Sequence, residues 1–294
     1  MGILLGLASA LSWGTSDLLA RFATRKIGTF RAMLYMQLLG CLLITLAVRW
    51  LGGWGHLFDG SGARPWIWGV LAGLLNTLGT LALYRSFEIG KMSVVAPISA
   101  SYPVLTFLLS AATGERVTPV RVAGIAFTIL GVVLVARGED GPDDENSNQE
   151  PALRGKKRLG VGWALAAALG FGVMFWLLGI RVVPLLGAAP SVWLIRLTSV
   201  LVTAGVIVVL RVPLAAPAGN ANPWLLGMAI LDTSSYVLNN YGMQHEQTSV
   251  VSVLASLYGA VTVGLAAILL KEPVSRVQWF GIVLIFAGIV LISR

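Results

Sequence analysis

Ten apolar runs, each about as long as a bilayer is thick, fill almost all of this chain. They lie at roughly 2–22, 31–51, 65–87, 92–112, 119–136, 159–180, 190–211, 222–243, 249–270 and 276–293. A helix that crosses the ~30 Å hydrocarbon core needs about 20 mostly apolar residues. Backbone inside a bilayer must satisfy its own hydrogen bonds, so runs of this length are helices rather than strands. The breaks between them carry Gly, Pro or charge, as at Arg25-Lys26-Ile27-Gly28, Gly52-Gly53, Gly90-Lys91, Pro213 and Lys271-Glu272-Pro273. Only 12% of residues are charged and the mean hydropathy is +0.82. Soluble domains carry roughly 25% charged residues, so these charges are too few to cover a water-soluble particle. The expected class is an all-α integral membrane protein, multi-pass, in the plasma (inner) membrane if the source is bacterial.

The net charge of +8 does not point to nucleic acid. Lys and Arg sit mostly at the ends of apolar runs, with no basic stripe interleaved with aromatics. This is the loop bias of membrane proteins. Cys41 is the single cysteine and lies in an apolar run, so a disulfide framework is excluded. Met1 to Leu19 lacks a basic leading region and runs into further apolar helices, so it reads as a span rather than a cleavable signal.

Residues 138–158, GEDGPDDENSNQEPALRGKKR, have almost nothing apolar to bury and read as a solvated linker. They divide the chain into 1–137 and 159–294, and the two halves repeat one another. ASALSWG (8–14) matches AAALGFG (166–172), and PWIWGVL (65–71) matches PWLLGMA (223–229). SVVAPISASYPVL (93–105) matches SVVSVLASLYGAV (249–261), and GERVT (114–118) matches KEPVS (271–275). Gly124 and Gly131 match Gly281 and Gly288. Matches in order at offsets of 156 to 158 are the mark of internal duplication. Each half has an odd number of spans, so the second enters the membrane in the opposite sense. Inverted repeats place a binding site near the midplane between the halves.

Trp13-Gly14 in the first span, the SVVAPISASYPVL segment, the Gly114-Glu115 turn and the Gly-rich fifth span resemble EamA-type members of the drug/metabolite transporter superfamily, over nearly the whole chain except the linker. The resemblance implies ten helices, a central cavity, and export or exchange of amino acids, related metabolites or drugs. Family members often carry an arginine in the second helix. Gln37 stands near that place here, and Arg196 stands at the matching place in the seventh span. Small multidrug relatives use an acidic residue in the first helix, and Asp17 is the nearest counterpart, displaced by about one turn.

Charge at the centre of a membrane helix costs at least ~2.5–3.5 kcal/mol, so three residues well inside spans demand a reason: Asp17, Arg196 and Asp232. Asp232, Ser235, Tyr236 and Asn239 recur at i, i+3, i+4 and i+7 and share one helix face. They read as a cavity wall or as an interhelical hydrogen-bond cluster. Asp17 reads as a proton or cation site, or as an ion-pair partner of Arg21 four residues on. Arg196 reads as a ligand for a substrate carboxylate or as the counter-charge of an aspartate. One buried arginine offers few donors for a phosphate. Asn76, Thr80 and Tyr84 line one face of the third span. Pro97 and Pro103 break the fourth, and Ser249, Ser252, Ser256 and Tyr258 repeat its polar residues in the ninth. Broken helices are tolerated where they line a cavity. Trp13, Trp176 and Trp193 lie deep enough to contact an apolar or aromatic substrate. Glu115 and Glu272 read as helix caps or as partners of Arg116 and Lys271, and the glycines of the fifth and tenth spans as packing.

Asp17, Arg196, Asp232 and Asn239 are therefore expected to face one cavity, with Trp13, Asn76, Tyr102, Tyr236 and Tyr258 near the ligand. A zwitterion such as an amino acid would suit a cavity of both signs. Proton coupling would need a carboxylate that exchanges a proton near neutral pH, and Asp232, deepest in its span, ranks first. The expected partners are a small-molecule substrate, protons if transport is coupled, and membrane lipids. No cofactor and no metal is expected. The sequence holds no HExxH, Cys/His cluster, GxSxG or P-loop, so a secondary transporter is expected rather than an enzyme. A membrane-embedded receptor or an enzyme without transport activity is the alternative. Loops 1–2, 3–4, 5–6, 7–8 and 9–10 hold 14 Lys and Arg against 6 on the other side, which places the termini outside. The family habit favours them inside.

Overall fold

The computed structural model describes residues 1–60, 62–114, 118–137, 151–214, 221–246 and 248–292. Among them every regular element is a helix. In chain order these are α1 (Gly2–Ile27), α2 (Thr29–Ala47), a 3-10 turn (Gly55–Leu57), α3 (Arg64–Ile89), α4 (Met92–Ser99), α5 (Pro103–Ala112), α6 (Pro119–Arg137) and α7 (Pro151–Leu177). Then come a π-helical turn (Leu178–Val182), α8 (Val183–Leu186), α9 (Ala188–Val209), α10 (Ala221–His245), α11 (Thr248–Ser256), α12 (Tyr258–Leu265), a second π turn (Ala266–Leu270) and α13 (Arg276–Ile292). Among the described residues eight segments have the length and hydropathy to cross a bilayer: Gly2–Ile27, Thr29–Ala47, Arg64–Ile89, Met92–Ala112, Pro119–Ala136, Arg158–Leu186, Ala188–Val209 and Val250–Leu270. Helix α13 is apolar but has 17 residues. Helix α10 has 25 and carries Asp232 amid Ser, Thr and Asn. The chain is thus an integral multi-pass membrane protein, consistent with the many leucines, isoleucines and valines left exposed on its helices, such as Leu4, Leu42, Leu78, Leu201 and Val283.

Several boundaries differ from the sequence reading. Helix α1 runs five residues past the expected end, to a last turn whose Arg25 and Lys26 suit the negative end of the helix dipole. Asp17 therefore lies ~15 Å from that end rather than ~8 Å. Helix α7 starts at Pro151, inside the segment read as linker. Glu115, Arg116, residues 138–150 of the linker and the side chain of Ser249 lie outside the described residues. The fourth span breaks between Ser99 and Pro103. Pro103 has no N–H to give, and Pro97 is kept inside α4. The ninth span breaks at Leu257, between α11 and α12.

Helix α1 packs along α10, α3 along α7, α2 along α9, and α6 along α13. In the last pair the helices meet backbone to backbone. A Cβ on Gly131 would lie 2.5 Å from the Gly281 carbonyl oxygen, and one on Gly124 would lie 2.6 Å from that of Gly288. The four glycines are thus packing residues, and α6 lies at the edge of the bundle.

Candidate functional site

The expected polar residues converge on the middle of the bundle. Helix α1 places Trp13 and Asp17 one turn apart, and α10 places Asp232 and Tyr236 one turn apart on the face towards α1. Both carboxylates lie ten or eleven residues, ~16 Å, from the same end of the bundle. With Thr80, Leu83 and Tyr84 of α3, Phe171 and Phe175 of α7 and Tyr258 of α12 they enclose a cavity of about 30 Å³. That volume admits a water or two rather than a metabolite.

The charges in this region are not equivalent. Arg196, on α9, is fully buried. Its guanidinium pairs with the Asp232 carboxylate, donates to Gln37 Oε1 on α2 at 2.7 Å, and stands 5.2 Å from the Tyr236 ring centroid. Gly40 makes room for it, since a Cβ there would meet Arg196 Nε at 3.2 Å and Thr233 Oγ1 at 2.6 Å. Arg196 is thus the counter-charge of Asp232, while Asp232 still borders the cavity. Asp17 is different. It accepts a hydrogen bond from Thr262 Oγ1 at 3.2 Å, and among the described residues no cation forms an ion pair with it. The pairing with Arg21 does not form.

The aromatic side chains form a connected wall. Phe175 stacks on Tyr102 at 4.6 Å and lies parallel to Tyr236 at 6.4 Å. Trp13 meets Tyr236, Phe175 and Tyr258 edge to face at 4.9, 5.7 and 6.4 Å. The Tyr236 hydroxyl donates to Asn76 Oδ1 at 2.5 Å, and Asn76 Nδ2 donates to Ser199 Oγ at 3.1 Å. Tyr102 Oη donates to the Ser252 carbonyl at 2.9 Å, while Tyr258 Oη meets Ser99 Oγ at 3.2 Å. Each tyrosine, at a helix break, holds the other broken span.

Of the sequence candidates, Trp13, Asp17, Asp232, Tyr236 and Tyr258 border the cavity. Arg196, Asn76 and Tyr102 stand directly behind it. Asn239 lies a turn further along α10, bonded to Asn240 Oδ1 at 3.3 Å. Trp176 and Trp193 do not border the cavity; Trp193 Nε1 donates to Thr45 Oγ1 at 2.9 Å within a cluster with Trp54, Phe58 and Trp66. Phe171 and Phe175 went unselected, yet the repeat pointed to both. Trp13 and Asp17 fall on them at the offset of 158 that aligns ASALSWG with AAALGFG.

The two ends of the bundle differ. At the α1–α2 turn, Arg21 donates to the carbonyls of Phe87 and Gly90 and pairs with Glu272 at 3.2 Å. Glu272 Oε2 also accepts the Ser93 N–H at 2.9 Å. One carboxylate thus joins α1, the end of α3, the start of α4 and the segment after α12, rather than pairing with Lys271. At the other end, the tips of α2, α8, α9 and α10 surround a cleft of about 640 Å³ lined by Leu51, Gly55, Leu186, Pro190, Tyr241 and Gln244 among others.

The family described as the EamA-like transporter family matches residues 1–137 and again 158–294. An uncharacterized transporter of Synechocystis, sll1319, is 23% identical over 237 residues, 78% of this chain and 68% of its own length. An uncharacterized protein of Methanocaldococcus jannaschii, MJ1333.1, is 27% identical over 138 residues, which are 46% of this chain but 95% of that protein. A protein crystal structure superposes with a TM-score of 0.69 at 18% identity, covering 99% of this chain and 95% of that one. At that identity it bears on the fold alone.

Proposed function

Because this chain belongs to the EamA-like transporter family, which is a transporter family and not an enzymatic one, we propose that it is a secondary transporter that moves a small metabolite through the central cavity by alternating access. The observation that carries this reading is the placement of two aspartates and six aromatic rings at mid-depth, contributed by both halves of the chain. Charge at that depth is costly and persists where it serves a pathway. A closed end at Arg21–Glu272 and an open cleft at the other end fit one state of such a cycle, with the site contracted between them. The parting of the halves must widen it for a ligand. Export or exchange is the expected direction, in the plasma membrane if the source is bacterial.

We further propose ten spans arranged as two inverted five-span repeats. The packing supports this. Exchanging the halves turns the α1–α10 contact into the α7–α3 contact, and leaves α2–α9 and α6–α13 in place. Gly28 and Gly187, which take φ of 83 and 84° between the first two spans of each half, fill the same turn twice. Such a φ favours glycine. One family matching the chain twice, and a relative of about half its length, agree with it.

We assign the proton-carrier role to Asp17 rather than to Asp232, ranked first on depth, because Asp232 is paired with Arg196 while among the described residues no cation forms an ion pair with Asp17. The experiment is counterflow in proteoliposomes. Exchange of unlabelled for labelled metabolite without chemical change is expected. Chemical alteration of the ligand, or binding with no translocation, would overturn transport in favour of an enzyme or a receptor.

A further inference from the structure

The cavity wall carries three formal charges, and their arrangement selects among substrates. Asp232 is neutralised by Arg196, and Arg196 in turn is screened from the cavity. It is fully buried, lies behind the face of Tyr236, and spends a further donor on Gln37. What a ligand meets is the Asp17 carboxylate among the rings of Trp13, Tyr84, Phe171, Phe175, Tyr236 and Tyr258. With Asp17 ionised the wall's net charge is minus one, and nearly all its remaining surface is aromatic. An aromatic face attracts a cation through its quadrupole, more strongly where water is excluded. In the cavity lining a substrate carboxylate would find only hydroxyls and the Trp13 indole N–H as donors, since both terminal nitrogens of the one guanidinium are engaged by Asp232 and Gln37. This argues against the amino-acid zwitterion that the mixed charges of the sequence suggested.

We propose that the site selects compounds carrying a single positive charge on an apolar or aromatic frame, with Asp17 as the counter-charge and Arg196 as the specificity residue that keeps the wall at minus one. The proposal rests on reading this cavity as the substrate site. Arg196 acts by cancelling Asp232, so the preferred ligand charge should follow the wall charge rather than any one residue's presence.

The test uses full-length protein in detergent and in proteoliposomes. Three probes share one ring: benzyltrimethylammonium with one fixed positive charge, para-xylylenediamine with two, and phenylalanine with none net. Titration calorimetry should show benzyltrimethylammonium binding about tenfold or more tightly than the others. Asp17→Asn should abolish that preference. Arg196→Gln, with a wall at minus two, should shift preference to para-xylylenediamine. The double variant Arg196→Gln with Asp232→Asn restores minus one and removes the unpaired buried carboxylate, so it should recover the preference for the single charge even if Arg196→Gln alone fails to fold. A wild-type preference for phenylalanine, or a double variant that binds all three alike, would overturn the charge rule. If Asp17→Asn and Tyr236→Ala bind and transport every probe as wild type does, the cavity is not the substrate site. That result would remove the underlying reading rather than the charge rule alone.

Discussion

Arg196 and Asp232 form a pair whose members cannot be removed one at a time without cost. Arg196 has no access to water, so Asp232→Asn leaves a guanidinium buried without its counter-charge. Breaking a buried pair by removing one partner costs ~3–5 kcal/mol, whereas replacing both with apolar groups of similar volume is often neutral. Thermal unfolding of solubilised protein should therefore show a large drop for Asp232→Asn, and a recovery of most of it for Arg196→Met with Asp232→Leu. An unchanged midpoint in Asp232→Asn would mean that Gln37 suffices as a partner. Asp17→Asn should behave in the opposite way. The Thr262 hydroxyl can still bond an amide, so stability should hold. Uptake driven by an imposed pH gradient should vanish, because no other cavity carboxylate is free of a counter-charge. All three charges were legible in the sequence as expensive residues. That Arg196 could neutralise an aspartate was legible as one of two readings, but which aspartate was not, because residues 17, 196 and 232 sit on three helices whose relative rotation no periodicity reveals. Arg21 shows the same limit. Its spacing from Asp17 suits a helical ion pair, yet the carbonyls of Phe87 and Gly90 and the carboxylate of Glu272 are closer to hand at the helix end.

The helices divide into those that frame the cavity and those that hold the frame. Spans four and nine are each broken in two at matching places, and their tyrosines are anchored reciprocally, Tyr102 on the Ser252 carbonyl and Tyr258 beside Ser99. The sequence signalled the first break through Pro103. The second has no proline and was legible only through the repeat. Helices α6 and α13 do the holding. Their contact has no room for a side chain at four positions, because at each of them an added Cβ would lie 2.5–2.9 Å from a backbone carbonyl oxygen of the facing helix, which cannot swing aside as a side-chain end can. Gly131→Val should consequently push α13 off α6 and lower the unfolding midpoint more than Gly162→Val, where an added Cβ meets nothing within 4 Å. Equal midpoints for the two variants would show that the helices part without loss. The seven-residue spacing of these glycines announced close packing. The π turns at Leu178–Val182 and Ala266–Leu270 left no distinctive mark in the sequence, since neither contains Pro and the one glycine, Gly179 in the first, is one of 34 in the chain.

Across the whole molecule, the two ends of the bundle are in different states, and this gives the transport reading its direct mechanical test. Glu272 holds four segments together at the α1–α2 end through Arg21 and the Ser93 amide, while the cleft of about 640 Å³ leaves the other end accessible. The sequence suggested local roles for Glu272, a helix cap or a partner of Lys271, because its actual partners lie 251 and 179 residues away. In an alternating cycle, opening the closed end requires breaking this clasp and should narrow the cleft. Glu272→Gln removes the charge but keeps the side chain's length, so it should favour the state open at the α1–α2 end. In a Cys41→Ser background, Ser93→Cys reports that end, where Ser93 is buried, and Gln244→Cys reports the exposed cleft. Labelling of Ser93→Cys by a membrane-impermeant maleimide should speed up several-fold when Glu272→Gln is added, and labelling of Gln244→Cys should slow. Done on intact cells and on inverted vesicles, the same experiment fixes the orientation. The excess of Lys and Arg in the loops at the α1–α2 end predicts that this end faces the cytoplasm, so Gln244→Cys should react in cells and Ser93→Cys in inverted vesicles. Rates that rise or fall together at both ends would mean that Glu272 stabilises the fold generally. Only opposite changes at the two ends fit one half rocking against the other.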